Sequence, residues 1–255
     1  MELVYLSRAD VEAAGLGMRE IIEAVETALV EKGEGRAEMP PKPGIHTAPD
    51  SFIHAMPAYL PGMGAAGIKW ISGYPQNPKR GLPYISGLLM LNDPETGFPI
   101  AVMDATWITA MRTGAATAVA AKYLARLEAR TVGILACGVQ ARTNLLALRE
   151  VCPNLRRVLA YDTVPANQAA YVAEMRERTG LDIVGVAAPH EAVVNADIVV
   201  TSGPILKDPM PIIQRKWFKE GALGVALDYD SYWKPEAMAA ADKFCTDDLT
   251  QLNYY

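Results

Sequence analysis

The chain has 255 residues, with 24 Lys+Arg against 29 Asp+Glu and a formal net charge of −5. Hydrophobic residues make up 51% and charged ones 21%, which is ample material for a packed core and excludes disordered, collagen-like and coiled-coil chains. The weakly acidic balance is the wrong sign for a nucleic-acid partner, and no apolar run approaches the length needed to span a bilayer.

Along the first half, Leu3 to Leu6 reads as a strand, and Ser7 with Asp10 three residues on reads as the cap of a short helix. Met18 to Glu31 has helical spacing through Ile21, Ile22, Val25, Ala28 and Leu29. Pro40, Pro41 and Pro43 then forbid regular structure. Strand-like runs follow at Phe52–Leu60, Gly67–Ser72, Gly87–Leu91 and Pro99–Met103, separated by Pro61-Gly62, by Pro75 to Pro78 and by Asn92-Asp93-Pro94. Strands in such close succession favour a largely antiparallel or mixed sheet. An Ala-rich helix over Trp107–Leu127 bridges to the second half.

After Arg130 the rhythm becomes strand, helix, strand, helix. Thr131–Ala136, Arg157–Asp162, Ile183–Ala187, Ile198–Thr201 and Leu223–Leu227 are short apolar strands. Val139–Val151 is a helix, and Pro165–Arg178 is another, closed by Gly180. This alternation predicts an α/β fold, a doubly wound parallel sheet following an N-terminal α+β domain. The domains are expected at 1–115 and 116–255.

Thr131 to Ala141 ends a strand and opens a helix, where a dinucleotide fingerprint belongs. Gly138 would let backbone N–H groups approach a pyrophosphate at the helix N-terminus, with Val139 and Gln140 beside it. Ala136 and Ala141 stand in place of the outer glycines. Asp162, at the end of the next strand and 24 residues beyond Gly138, matches the acid that binds a ribose 2′-hydroxyl and repels a 2′-phosphate. NAD is therefore expected over NADP. A cofactor-free strand–helix turn with Asp162 as a strand-end cap is the alternative. Thr201 and Ser202 end a later strand that faces the same crevice.

Met56-Pro57-Ala58-Tyr59, Gly67-Ile68-Lys69-Trp70, Asn77-Pro78, Gly81-Leu82-Pro83, Asp93-Pro94-Glu95-Thr96-Gly97, Ala110-Met111-Arg112-Thr113-Gly114-Ala115-Ala116 and Gly138-Val139-Gln140-Ala141 follow one another in this order. In that order they resemble the ornithine cyclodeaminase/mu-crystallin family over nearly the whole chain. The resemblance implies a Rossmann domain with a nicotinamide cofactor. It also implies an N-terminal domain that forms the homodimer interface and the substrate floor.

Family resemblance makes Lys69 the active-site lysine, Arg112 the grip on the substrate carboxylate and Thr113 a cofactor neighbour. It places the catalytic aspartate at Asp230. Asp228 stands where the family is usually small and is kept as a substrate contact. Lys42 occupies the place of a second arginine, offering a point charge instead of a planar fork. His54 stands two residues before Met56, where ornithine cyclodeaminases carry an acid for the distal amine. Family members usually continue beyond the position of Tyr255 with further helix.

Each residue has a plainer reading. Lys69 would be a surface lysine on a sheet, His54 a core histidine and Asp228 a turn acid. Arg112 within an apolar helix needs an anion, either Asp104 or a substrate. The expected function is an NAD(P)-dependent oxidoreductase on a small amino or imino acid, of the amino-acid dehydrogenase or imine reductase type. An ornithine cyclodeaminase forming proline and ammonia, and a mu-crystallin-like binding protein without turnover, are the alternatives. No metal is expected, because Cys137, Cys152 and Cys245 lack ligand spacing. Those thiols, and a Met1–Asp10 segment without a leader pattern, suggest the cytoplasm.

Overall fold

The structure, a computed structural model, describes residues 2–254. The chain divides into two compact units, Met1–Thr109 with Cys245–Tyr255, and Ala110–Phe244. Residues 245–255, grouped by sequence with the second domain, thus belong with the first unit. There Asp248 pairs with Lys32 at 2.7 Å, and Gln251 accepts a hydrogen bond from the Lys42 N–H at 2.9 Å.

In the first unit, β1 (Val4–Leu6) leads into α1 (Arg8–Ala13) and α2 (Met18–Gly33). Ser7 closes the start of α1 as a reciprocal capping box: its hydroxyl accepts from the Asp10 N–H while its own N–H donates to the Asp10 carboxylate. The strands β2 (Gly44–Ile45), β3 (Phe52–Leu60), β4 (Ala65–Gly73), β5 (Ile85–Asn92) and β6 (Pro99–Asp104) follow. They form a six-stranded sheet in the order β1-β6-β5-β4-β3-β2, in which only the β1–β6 pair is parallel. The two-residue β2 begins directly after the last proline of the Pro-rich stretch.

α3 (Thr106–Leu124) starts on Asp104, whose carboxylate accepts from both the N–H and the hydroxyl of Thr106. The second unit continues with β7 (Thr131–Leu135), α4 (Val139–Val151), β8 (Arg157–Tyr161), α5 (Pro165–Thr179), β9 (Asp182–Gly185), α6 (Pro189–Val193), β10 (Ile198–Thr201) and β11 (Leu223–Ala226). α7 (Pro235–Ala239) ends this unit, and α8 (Leu249–Tyr254) lies in the tail.

The second sheet is parallel throughout, in the order β11-β10-β7-β8-β9. The chain moves outward from β7 to β9 and then returns to the other side of β7. This makes the gap between β7 and β10 the topological switch point, where such sheets bind ligands. Alternation along each strand builds two cores. Val132, Ile134, Val158 and Val200 pack on Leu145 and Leu148 of α4 and on Tyr171 and Met175 of α5. Leu135, Leu159 and Val199 pack on Ala192, Val193, Ile213 and Trp233.

Candidate functional site

At the carboxyl end of β7 the backbone turns through Ala136, which takes a left-handed φ of 70° although it is not glycine. Both of its polar groups are engaged: its N–H donates to the Tyr161 carbonyl at 2.9 Å, and its carbonyl accepts from the Ser202 hydroxyl at 3.0 Å. The strain at Ala136 is thus held from two strands, one on each side of β7.

Gly138 is the N-cap of α4 and receives no side-chain cap. A Cβ built there meets nothing within 4 Å, and the N–H groups of Gly138 and Val139 have no hydrogen-bond partner among the described residues. Open backbone donors at the start of a 13-residue helix form a cradle that suits a phosphate group.

Asp162 has the capping role weighed for it. One carboxylate oxygen accepts from the Cys137 N–H at 2.7 Å and the other from the Val164 N–H at 2.8 Å. A carboxylate has about four lone-pair sites, so two remain for ribose hydroxyls. Cys137 is buried, and burial pushes its thiol up to about 12, so it is an inert small residue at pH 7.

Two residues expected to face a ligand point inward instead. Asp228 and Thr201 are both fully buried. The Thr201 hydroxyl donates to one Asp228 oxygen at 2.7 Å, the Gly203 N–H donates to the other at 2.8 Å, and the Trp233 indole N–H donates to the Thr201 oxygen at 2.7 Å. This network ties the loop after β10 to the turn after β11. Burial pushes the Asp228 carboxyl up to about 6. The correction has a backbone cause: Tyr229 adopts a left-handed φ of 57°, so the turn buries Asp228 and leaves Asp230, two residues on, exposed.

Arg112 and Thr113 lie on α3, both half-buried, just before Gly114. Gly114 is where α3 crosses α4; a Cβ there would stand 2.6 Å from the Thr143 carbonyl oxygen. That glycine is explained by helix packing.

In the first unit, His54, Met56 and Lys69 share one sheet face, with Met56 directly opposite Lys69 and Lys69 opposite Leu89. Lys69 is buried, which departs from the surface reading. His54 stacks on Phe52 with ring centroids 4.4 Å apart and lies opposite Gly44, where a Cβ would collide with the imidazole. Burial, together with the charges of Lys42 and His46, lowers His54 to about 4, so it is neutral at pH 7. A histidine lowered from its unfolded value of 6.5 favours the fold above that pH and loses its contribution as pH falls through 4. We therefore expect the thermal midpoint of wild type relative to His54→Gln to fall between pH 6.5 and 4. Parallel melting curves across that window would refute it.

Sequence reasoning missed Arg142, four residues past Gly138. It donates to the carbonyls of Cys137 and Gly138 and pairs with Glu174 at 2.7 Å. A cation in the first turn of a helix opposes the helix dipole, and that was the available signal. Among the described residues no group of three or more His, Cys, Asp or Glu side chains could hold a metal, and no helix is long and apolar enough to cross a membrane.

The chain aligns at 38% identity, over 100% of its own length and 76% of the relative's, with an alanine dehydrogenase of Archaeoglobus fulgidus. Its fold matches that of Thermococcus litoralis Delta(1)-pyrroline-2-carboxylate reductase in complex with NADH and L-proline. That match has a TM-score of 0.86 and 38% identity, over 92% of this chain and 73% of the other. An archaeal alanine dehydrogenase dimer with bound NAD matches with a TM-score of 0.80 and 40% identity, over 88% and 67% of the two chains. The model of the ornithine cyclodeaminase/mu-crystallin family matches residues 1–253, and the chain belongs to that family.

Proposed function

We propose that this chain is an NAD-dependent oxidoreductase acting on a small amino or imino acid, of the amino-acid dehydrogenase or imine reductase type. The observation that carries this reading is the open cradle of Gly138 and Val139 N–H groups at the switch point, with Asp162 at the end of the neighbouring strand. The similar NADH- and NAD-bound enzymes support it.

In this reading the Gly138–Gln140 segment holds the pyrophosphate, Asp162 the adenosine ribose, and Ser202 and Thr113 flank the cofactor. A bound nicotinamide supplies hydride transfer to or from the substrate carbon. Arg112 holds the substrate carboxylate by a charge-assisted pair, with Lys42 as a further cation. Lys69 stabilises charge that develops on the substrate, and exposed Asp230 takes or gives the proton at the amine or at water. Neutral His54 offers no anion for a second ammonium, so a monoamino acid or an imine suits the site better than ornithine. Met56, opposite Lys69, packs against the substrate.

The reading includes a homodimer, supported by the opposite face of the first sheet, where the cross-strand neighbours Trp70 and Leu88 are 48% and 53% exposed, and by the dimer of the similar archaeal alanine dehydrogenase. The free thiols Cys137, Cys152 and Cys245 fit a cytoplasmic setting.

The test is a fluorescence titration with NADH and NADPH, followed by absorbance measurements with a panel of small amino acids and imines. NADH is expected to bind about tenfold or more tighter than NADPH, since a carboxylate and a 2′-phosphate repel at contact. One monoamino acid or imine is expected to change the NADH absorbance. Asp162→Ser should narrow the preference and weaken both cofactors, because it also releases the Cys137 and Val164 N–H groups. Tighter NADPH binding, or turnover of ornithine above every monoamino acid and imine, would refute the reading.

A further inference from the structure

We propose that Arg142 is a positioning residue that aims the phosphate-binding backbone of the loop; this rests on the dinucleotide reading. One guanidinium nitrogen, Nη1, donates to the Cys137 carbonyl at 2.7 Å and to the Gly138 carbonyl at 2.9 Å. In a trans peptide the C=O and N–H point in opposite directions. Drawing the Cys137 carbonyl toward Arg142 therefore turns the Gly138 N–H away from it. Drawing the Gly138 carbonyl likewise turns the Val139 N–H away. These are the two donors that have no partner among the described residues.

Among the described residues no other side chain reaches the Cys137 or Gly138 carbonyl. Gly138 has no side chain, no side-chain cap reaches it, and its Cβ direction opens on empty space. A glycine held this loosely would sample other orientations, and ordering it would cost binding energy. Arg142 supplies the order in advance.

The arginine is itself held by two side chains of α5. Its Nε donates to Glu174 on α5 at 2.7 Å, and its guanidinium lies 5.5 Å from the ring centre of buried Tyr171. Glu174 also accepts from Arg178 at 2.9 Å. The carboxylate offsets the unfavourable placement of a cation at a helix N-terminus, which explains how α4 tolerates Arg142 in its first turn. The arginine acts by geometry more than by its own charge, which Glu174, shared with Arg178, offsets in part.

The experiment compares Arg142→Met, Arg142→Lys, Glu174→Gln and Arg178→Met. Affinity is read by fluorescence titration with NADH and by competition with ADP-ribose, which carries the pyrophosphate, and with adenosine, which does not. Arg142→Met is expected to weaken NADH and ADP-ribose by about tenfold or more and adenosine by no more than about twofold. Arg142→Lys should recover part of the loss, because an ammonium can reach one carbonyl but cannot also pair through a fork. Glu174→Gln should weaken ADP-ribose less than Arg142→Met does, and Arg178→Met should leave it unchanged.

Equal weakening of adenosine and ADP-ribose would show general damage to the fold and overturn the inference. So would an Arg142→Met protein that binds ADP-ribose like wild type. If wild type binds neither NADH nor ADP-ribose, the dinucleotide reading falls, and this inference falls with it.

Discussion

Replacing Gly133 by Ala is expected to cost about 3 kcal/mol or more of stability, or to prevent the second unit from folding. Gly133 lies in the middle of β7, the central strand of its sheet, on the side covered by α6. A Cβ there would stand 1.8 Å from the Ala192 carbonyl oxygen and 2.9 Å from its carbonyl carbon. Both are backbone atoms, so no side chain can rotate away. Relief requires lifting α6, and Ala192, Val193 and Ala196 are all fully buried beneath it. Moving them opens a void on one side while it removes a clash on the other, and a close-packed interior tolerates neither. Gly138, five residues on, is the control. Its Cβ would enter open space, so Gly138→Ala should change stability by no more than about 0.5 kcal/mol while it weakens cofactor binding. Urea unfolding of both variants, alongside an NADH titration, measures the contrast. A Gly133→Ala protein with a wild-type unfolding midpoint would refute the packing argument.

The two glycines also show where sequence reading works. Sequence reading located β3 and α4 with the bounds that the structure gives, because the Pro61-Gly62 turn signal stops the one and Gly138 opens the other. The capping box at Ser7 and the left-handed Gly180 after α5 were equally legible, since each residue type has one physical reason to stand there. α6 was not, because its five residues are too few to show a period, although Pro189 marks its first turn. Residues 245–255 group with the first unit through contacts such as the Lys32–Asp248 pair, 216 residues apart in sequence, which no local pattern reveals.

At the site, the open glycine and the acid of the fingerprint were legible. The strained Ala136 was not, since nothing in an alanine announces a positive φ. Arg142 was legible in principle as a cation in a first turn. The two acids after β11 were indistinguishable in sequence, because what separates them is the backbone angle of the residue between them.

That separation sets the last expected result. Asp230→Asn should lower kcat by about 10²- to 10⁴-fold and leave NADH affinity unchanged, because the amide keeps the shape of the carboxylate but cannot take a proton. Asp228→Asn should act mainly on stability. The Asp228 carboxylate accepts from both the Thr201 hydroxyl and the Gly203 N–H. An amide has one acceptor, so one buried donor or its own NH2 group loses its partner, at a cost of about 1–3 kcal/mol. The loss should also grow in acid. Asp228 is raised from 3.8 to about 6, so the wild-type fold gains stability as pH falls through that window, whereas the amide does not titrate. Melting curves at pH 7 and pH 5 measure this difference, and stopped-flow kinetics measure turnover. If Asp228→Asn abolishes turnover with a wild-type melting curve and Asp230→Asn spares it, the buried acid does the chemistry and the turn must open to expose it. If the order is as expected, the loop after β10 is held by one carboxylate so that another, two residues away, stays free to exchange a proton.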